Sequence, residues 1–217
     1  MDFAKARYLM VENQLRCVKV YDETILDAFS NLPRERFVPK GQAGLAYMDE
    51  AVPVADGRYL MEAMILGRML QSAHVGAEDA VLIVGCGTGY SAAVLADLCS
   101  AVVALEEDTA LAALANATLA DLGADNVAVI EGPLAEGYPS QAPYDVIVID
   151  GSVDLVPDVI RDQLADGGRL VTIINEDGIG RARLITRVSG TQFTETDLFD
   201  AGSPKLPGFD VKPAFAF

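Results

Sequence analysis

Between residues 80 and 174, short apolar runs alternate with stretches of helical character, and this alternation constrains the fold more than any other feature. The runs cover 80–84, 101–105, 127–130, 146–149 and 169–174. Apart from Arg169 and Thr172 in the last, they are continuously apolar rather than apolar at every second residue. Strands of that kind are buried on both faces, which implies a mostly parallel sheet with helices on either side. The intervening segments supply those helices, at 90–98, after Asp108, and at 157–164. Asp108 is a suitable N-cap for a helix that directs Leu111, Leu114 and Leu122 toward a core, and Gly123 is a suitable stop. After residue 175 the pattern changes. Segment 182–188 reads equally as helix or strand, 192–199 reads as strand, 201–213 is rich in Gly and Pro, and a last strand would end at Phe217. The short connections there imply antiparallel additions at the sheet edge.

The N-terminal third is different. Tyr8, Val11, Leu15 and Val18 recur at helical spacing within 1–30. A second helix is expected over 22–31, with Ile25, Leu26 and Phe29 as its apolar face, stopped at Leu32-Pro33. Segment 33–60 reads as loops with short strands, and 61–71 as a helix whose Met61, Met64 and Met69 belong to the core. The whole is expected to form one domain over 1–217, a helical and loop segment over 1–75 leading into a sheet over 76–217.

Composition excludes several function classes. The 217 residues carry a formal charge of −16, a poor match for phosphate backbones or anionic membranes. No stretch approaches the roughly 20 apolar residues of a membrane span, and no signal-peptide pattern opens the chain, so a cytoplasmic location is expected. His74 is the single histidine, and Cys17, Cys86 and Cys99 lack metal-ligand spacing. Neither a metal site nor a histidine triad is expected.

The main chemical signal is VLIVGCGTGYSAAVLA, residues 81–96, in which an apolar strand enters a glycine turn that opens a helix. Glycines permit unusual backbone angles and let a ligand approach the main chain. Glu106 ends the second strand 21 residues after Gly85, a spacing at which a carboxylate meets ribose hydroxyls. A P-loop would need Lys-Ser/Thr after its last glycine, and here Tyr90-Ser91 follows. A dinucleotide site would space its glycines G-x-G-x-x-G, and here they read G-x-G-x-G. S-adenosylmethionine, which has no phosphates to cradle, is favoured over a dinucleotide. A tight turn with no ligand is the alternative.

Six strings occur in an order that resembles the protein-L-isoaspartate O-methyltransferases: MVENQLR, PRERFVP, AYMDEAVPVADG, VLIVGCGTGYSAAVLA, APYDVIVIDG and QLADGGRLV. The first two discriminate this family from other methyltransferases. The resemblance covers about residues 7–175. It implies a class I methyltransferase (Rossmann-like) three-layer α/β sandwich, with a mostly parallel seven-stranded sheet and an antiparallel C-terminal edge. It implies S-adenosylmethionine as cofactor and, as partner, a protein or peptide bearing an isoaspartyl carboxylate. Gly85, Cys86, Gly87, Thr88 and Gly89 would line the cofactor, Glu106 and Glu107 would lie at its ribose, Gly132 and Pro133 at its adenine end, and Asp150 nearby.

The chain departs from the family pattern at three functional positions. Ile83 replaces an acidic residue two before the first glycine. Pro133 stands where Gly-Asp-Gly would place its Asp. In the acceptor loop, 57–63, Met61 replaces a serine and Ala63 a proline.

Methyl transfer to a carboxylate needs no general base, because a carboxyl of pKa near ~4 is already ionised at neutral pH. It needs desolvation and alignment. Arg58, in the acceptor loop, is expected to be a solvated arginine; the alternative is a two-pronged grip on a carboxylate. Cys86 is expected to be a small buried filler, and Asp145 and Asp154 turn or cap residues. Two other functions stay open: a binding or regulatory protein that keeps the fold without the catalysis, and a methyltransferase with another acceptor.

Overall fold

The computed structural model describes residues 1–176 and 178–209. Helix α1 (Phe3–Met10) starts at Asp2, whose carboxylate accepts the Lys5 N–H. It runs on through a wider turn, Val11–Leu15, and a tight one, Arg16–Val18, before Lys19 ends it at φ +67°. The wide turn advances the helical face, because each π turn takes an extra residue. Val11 and Leu15 consequently reach the core, whereas Tyr8, expected on the same apolar face, is 62% exposed. Helix α2 (Glu23–Asn31) starts at Asp22, which accepts from the Thr24 and Ile25 N–H groups, and stops before Pro33. Strands β1 (Val52–Ala55) and β2 (Arg58–Leu60) form an antiparallel hairpin, with Gly57 at φ +65° in its turn. Helix α3 (Ala63–Ala73) follows.

The alternating region folds as its apolar runs require. Strand β3 (Ala80–Val84), helix α4 (Tyr90–Ala96), strand β4 (Ala101–Glu106), helix α5 (Thr109–Leu122) and strand β5 (Val127–Glu131) come in that order. Strand β6 (Tyr144–Val153), the short helix α6 (Asp158–Arg161) and strands β7 (Leu164–Glu176), β8 (Ile179–Ser189) and β9 (Gln192–Asp200) complete it. Asp108 caps α5 and Gly123 ends it at φ +74°, both as expected. Leu114 does not face the core: it is 47% exposed, because the buried face of α5 runs through Leu111, Ala115, Thr118 and Leu119. The helix expected over 157–164 is four residues long, since β7 already begins at Leu164. The ambiguous 182–188 segment is strand, inside β8.

The seven strands are ordered β5-β4-β3-β6-β7-β8-β9. The first five are mutually parallel, and β8 and β9 are antiparallel additions, which is the expected class I methyltransferase sandwich. Side chains alternate between two cores. Val81, Ile83, Val102, Ala104, Val146 and Val148 face α2, α3 and α4. Leu82, Val84, Val103, Leu105, Ile147 and Ile149 face Leu134, Ile160, Leu206 and Phe209. Much of that second face is thus covered by irregular chain. Residues 201–209 carry one parallel bridge, Ser152 to Lys205, and the strand expected to end at Phe217 falls outside the described residues.

Candidate functional site

The carboxyl ends of β3, β4, β5 and β6 lie along one edge of the sheet, where open parallel sheets bind their ligands. The glycine loop after β3 turns at Gly85, Gly87 and Gly89, all with positive φ (+81°, +56° and +94°). At Gly89 a Cβ would also meet the Ala115 Cβ at 3.1 Å, so helix packing as well as backbone angle requires glycine there. The Gly85 and Cys86 N–H groups donate to the Leu105 carbonyl, which ties the loop to β4.

Glu106 ends β4 wholly buried, at 0% exposure. Its Oε2 accepts the Gly87 N–H at 2.8 Å; its Oε1 accepts the Glu107 and Asp108 N–H groups at 2.9 and 3.0 Å. Three backbone donors therefore fix the carboxylate at the mouth of the glycine loop.

Arg58 is not the solvated arginine expected. It is 5% exposed, and its guanidinium grips Glu106 with both Nη1 and Nη2, the latter at 2.7 Å. Nη2 also donates to the Gly85 carbonyl at 3.2 Å. The β1–β2 hairpin lays the side chain across the loop, so the two-pronged grip falls on the protein's own carboxylate. Burial opposes the Arg58 charge, but the hydrogen bonds and field of Glu106 outweigh it and hold the guanidinium pKa above its ordinary value.

Leu206 covers the other side. Segment 203–206 joins the end of β6 through the Ser152 N–H to the Pro204 carbonyl and the Leu206 N–H to the Ser152 carbonyl. A Cβ placed on Gly151 would come within 2.5 Å of Leu206 Cγ, and one on Gly85 within 3.0 Å of its methyl groups. Between Arg58, Met61, Asp150, Gly151 and Leu206 a cavity of about 10 Å³ is left. That is about the size of one water.

Asp150 lies in β6 beside this cavity. Its Oδ2 accepts the Ser91 hydroxyl at 2.5 Å, and its buried Oδ1 has no partner among the described residues. Burial pushes its pKa up to about 6, against the opposing effects of Ser91 and Arg58. Thr88 turns inward and donates to the Phe37 carbonyl at 2.6 Å, away from the loop mouth. Cys86 is the buried filler expected. Burial, with Glu106 and Asp150 adding to it, pushes its thiol pKa far up, so it is no nucleophile. Glu107 and Pro133 are exposed at the same edge, and Gly132 is tied to the Glu106 carbonyl. Asp145 accepts the Ala80 N–H, joining β6 to β3, and Asp154 pairs with Lys205 at 2.6 Å. Sequence reasoning missed Leu206 and Ser91. Nothing in a Gly/Pro-rich tail marks one leucine as the residue that returns to the sheet.

In this arrangement the groups expected to meet an adenosyl compound are already engaged. The carboxylate expected at its sugar is bonded to Arg58, and Arg58 and Leu206 lie over Gly85, while among the described residues nothing comes within 4 Å of a Cβ placed on Gly87. The backbone of a cradle is present and its Gly85 end is covered. Among the described residues there is no His/Cys/Asp/Glu cluster able to hold a metal, and no helix long and apolar enough to cross a membrane.

Comparison with known proteins agrees with this backbone. The sequence profile of the family "Protein-L-isoaspartate(D-aspartate) O-methyltransferase (PCMT)" matches residues 5–199. A protein-L-isoaspartate O-methyltransferase of Brucella anthropi is 35% identical over 198 residues, 91% of either chain. One of Koribacter versatilis is 38% identical over 206 residues, 95% of this chain and 92% of the other. A solved protein-L-isoaspartate O-methyltransferase superposes with a TM-score of 0.80 at 25% identity, over 94% of this chain and 65% of that longer one. The fold is shared too with a putative Plasmodium falciparum enzyme solved with S-adenosyl-L-homocysteine, at TM-score 0.78 and 20% identity, over 91% and 96% of the two chains. The profile match spans the glycine loop, Glu106 and the strand that carries Asp150, and on that extent of agreement the chain belongs to the protein-L-isoaspartate(D-aspartate) O-methyltransferase family.

Proposed function

We propose that this protein is an S-adenosylmethionine-dependent O-methyltransferase that esterifies the free carboxylate of isoaspartyl residues in damaged proteins or peptides. One observation carries the reading: a buried carboxylate, Glu106, is fixed by three backbone N–H groups at the mouth of a glycine turn, in a member of this family. These three donors belong to the backbone and are independent of Arg58. The cofactor supplies the methyl group, and the chain's own part is to bind, align and dry the reactants. The absence of a histidine from the site is consistent with this, because an ionised acceptor carboxylate needs no base. Met61 is buried beside the cavity and brings no hydroxyl to the acceptor. The missing hydrogen bond to a charged group, worth roughly 1.5–3 kcal/mol, slows transfer about 10- to 200-fold relative to a serine at that position.

A second reading has its own observation. Arg58 and Leu206 fill the cradle, which favours a family member that keeps the fold and works by binding without catalysis. Transfer of labelled methyl from S-adenosylmethionine to an isoaspartyl peptide, against the same peptide with normal aspartate, separates the two. Label on the isoaspartyl peptide alone supports the enzyme. No label above background from folded protein refutes it.

A further inference from the structure

We infer that Arg58 and the strap 203–206 form a gate over the glycine loop, and that an adenosyl ligand is admitted only when both withdraw. The inference rests on the methyltransferase reading for the nature of the ligand; the closure itself is read from side-chain positions.

Three features distinguish a gate from a site permanently rebuilt as core. First, the cradle beneath is preformed. The bonds of Glu106 to the Gly87, Glu107 and Asp108 N–H groups come from the backbone and do not involve Arg58, and they orient the carboxylate toward the loop mouth. Among the described residues nothing lies within 4 Å of where a Cβ on Gly87 would stand. Second, Asp150 Oδ1 and Ser152 Oγ are buried under the strap with no side-chain or backbone partner among the described residues. Well-settled interiors satisfy nearly all such atoms. Third, the strap is irregular chain outside the sheet's strands. Its attachments among the described residues include two backbone hydrogen bonds to Ser152, the Lys205–Asp154 ion pair, which is a third exposed, and the buried Leu206 side chain. Arg58, by contrast, sits on a three-residue strand of a two-stranded hairpin, and its long stem can carry the guanidinium out to water. The two parts support each other, since Leu206 packs within reach of both Gly85 and the Arg58 guanidinium that lies on it.

A ligand that binds only the open form has its apparent dissociation constant raised by the inverse of the open fraction. Loosening either part raises that fraction, and loosening both raises it further.

The test is calorimetric titration of the full-length protein with S-adenosylhomocysteine, which reads binding without any methyl transfer. The variants are Arg58→Ala, Leu206→Ala, their combination, and Lys205→Ala. The last removes a strap anchor at the rim of the cavity and leaves Arg58, Glu106 and Leu206 in place, so it keeps the test valid should Arg58→Ala fold poorly. Expected are dissociation constants about tenfold lower for each single cradle variant, about a hundredfold lower for the double, and severalfold lower for Lys205→Ala. Equal affinity in wild type and all variants overturns the gate, and so does the absence of binding in every folded variant at millimolar ligand. Tighter binding by the variants without methylation of the isoaspartyl peptide upholds the gate and refutes the acceptor reading. Equal tight binding with methylation refutes the gate and leaves the enzyme.

Discussion

Replacing Glu106 by Gln tests whether the buried pair exists in solution, because the substitution changes one oxygen into an amide donor and little else. Five N–H groups converge on the two carboxylate oxygens. Oε1 takes Arg58 Nη1 and the Glu107 and Asp108 N–H groups, and Oε2 takes Arg58 Nη2 and the Gly87 N–H. Whichever way the amide flips, its NH2 faces donors. With the oxygen at the Oε1 site, Arg58 Nη2 keeps only the 3.2 Å bond to the Gly85 carbonyl and the Gly87 N–H is orphaned. With the oxygen at the Oε2 site, three donors are orphaned. In both cases the guanidinium, while it stays in the closed position, loses its hydrogen-bonded counter-charge, and breaking a buried pair in this way costs up to about 3–5 kcal/mol. Urea unfolding at pH 7 should show that loss at unchanged m. Arg58→Met should cost less, about 2 kcal/mol, because the carboxylate retains its three backbone donors. The double variant should be more stable than the two losses predict, with a coupling of about 2 kcal/mol. A loss under about 1 kcal/mol for Glu106→Gln, or a coupling within the roughly 0.5 kcal/mol expected of independent sites, would refute the buried pair and the gate built on it.

Asp150→Asn should stabilise the protein at neutral pH. The folded-state pKa of about 6 lies above the ordinary 3.8, so the fold favours the protonated acid; that contribution is complete below about pH 4 and is lost as pH rises through 6. The gap of about two units sets a ceiling of about 3 kcal/mol at pH 8, and the advantage of Asn over Asp should vanish near pH 4, as thermal or urea unfolding across that range will show. Gly89→Ala, at φ +94° and 3.1 Å from the Ala115 Cβ, should cost about 2–3 kcal/mol in the same assay. Of the three thiols, Cys17 alone should react quickly with a disulfide reagent in the native protein, since Cys86 and Cys99 are buried and burial pushes Cys99 up to about 12; all three should react in denaturant. Met61→Ser should raise the rate of methyl transfer to an isoaspartyl peptide by roughly tenfold or more, and an unchanged rate would show that this side chain does not meet the acceptor.

The sequence by itself determined the sheet and its polarity. Continuous apolar runs such as 81–84 and 146–149 can be satisfied only by burial on both faces, and the caps Asp22 and Asp108 and the stop Gly123 act through their own backbone, so each was legible locally. The glycine turn and the place of Glu106 were legible for the same reason: a spacing along one strand–loop–helix unit fixes them. What only the tertiary structure decided is who occupies the space above that turn. Arg58 comes from a hairpin 48 residues before its carboxylate partner. Leu206 comes from a tail that rejoins the sheet at Ser152 after β7, β8 and β9 have intervened. A local pattern carries no information about which distant side chain folds back over a site, because that depends on the path of the chain between them and on the burial and pairing found at its end.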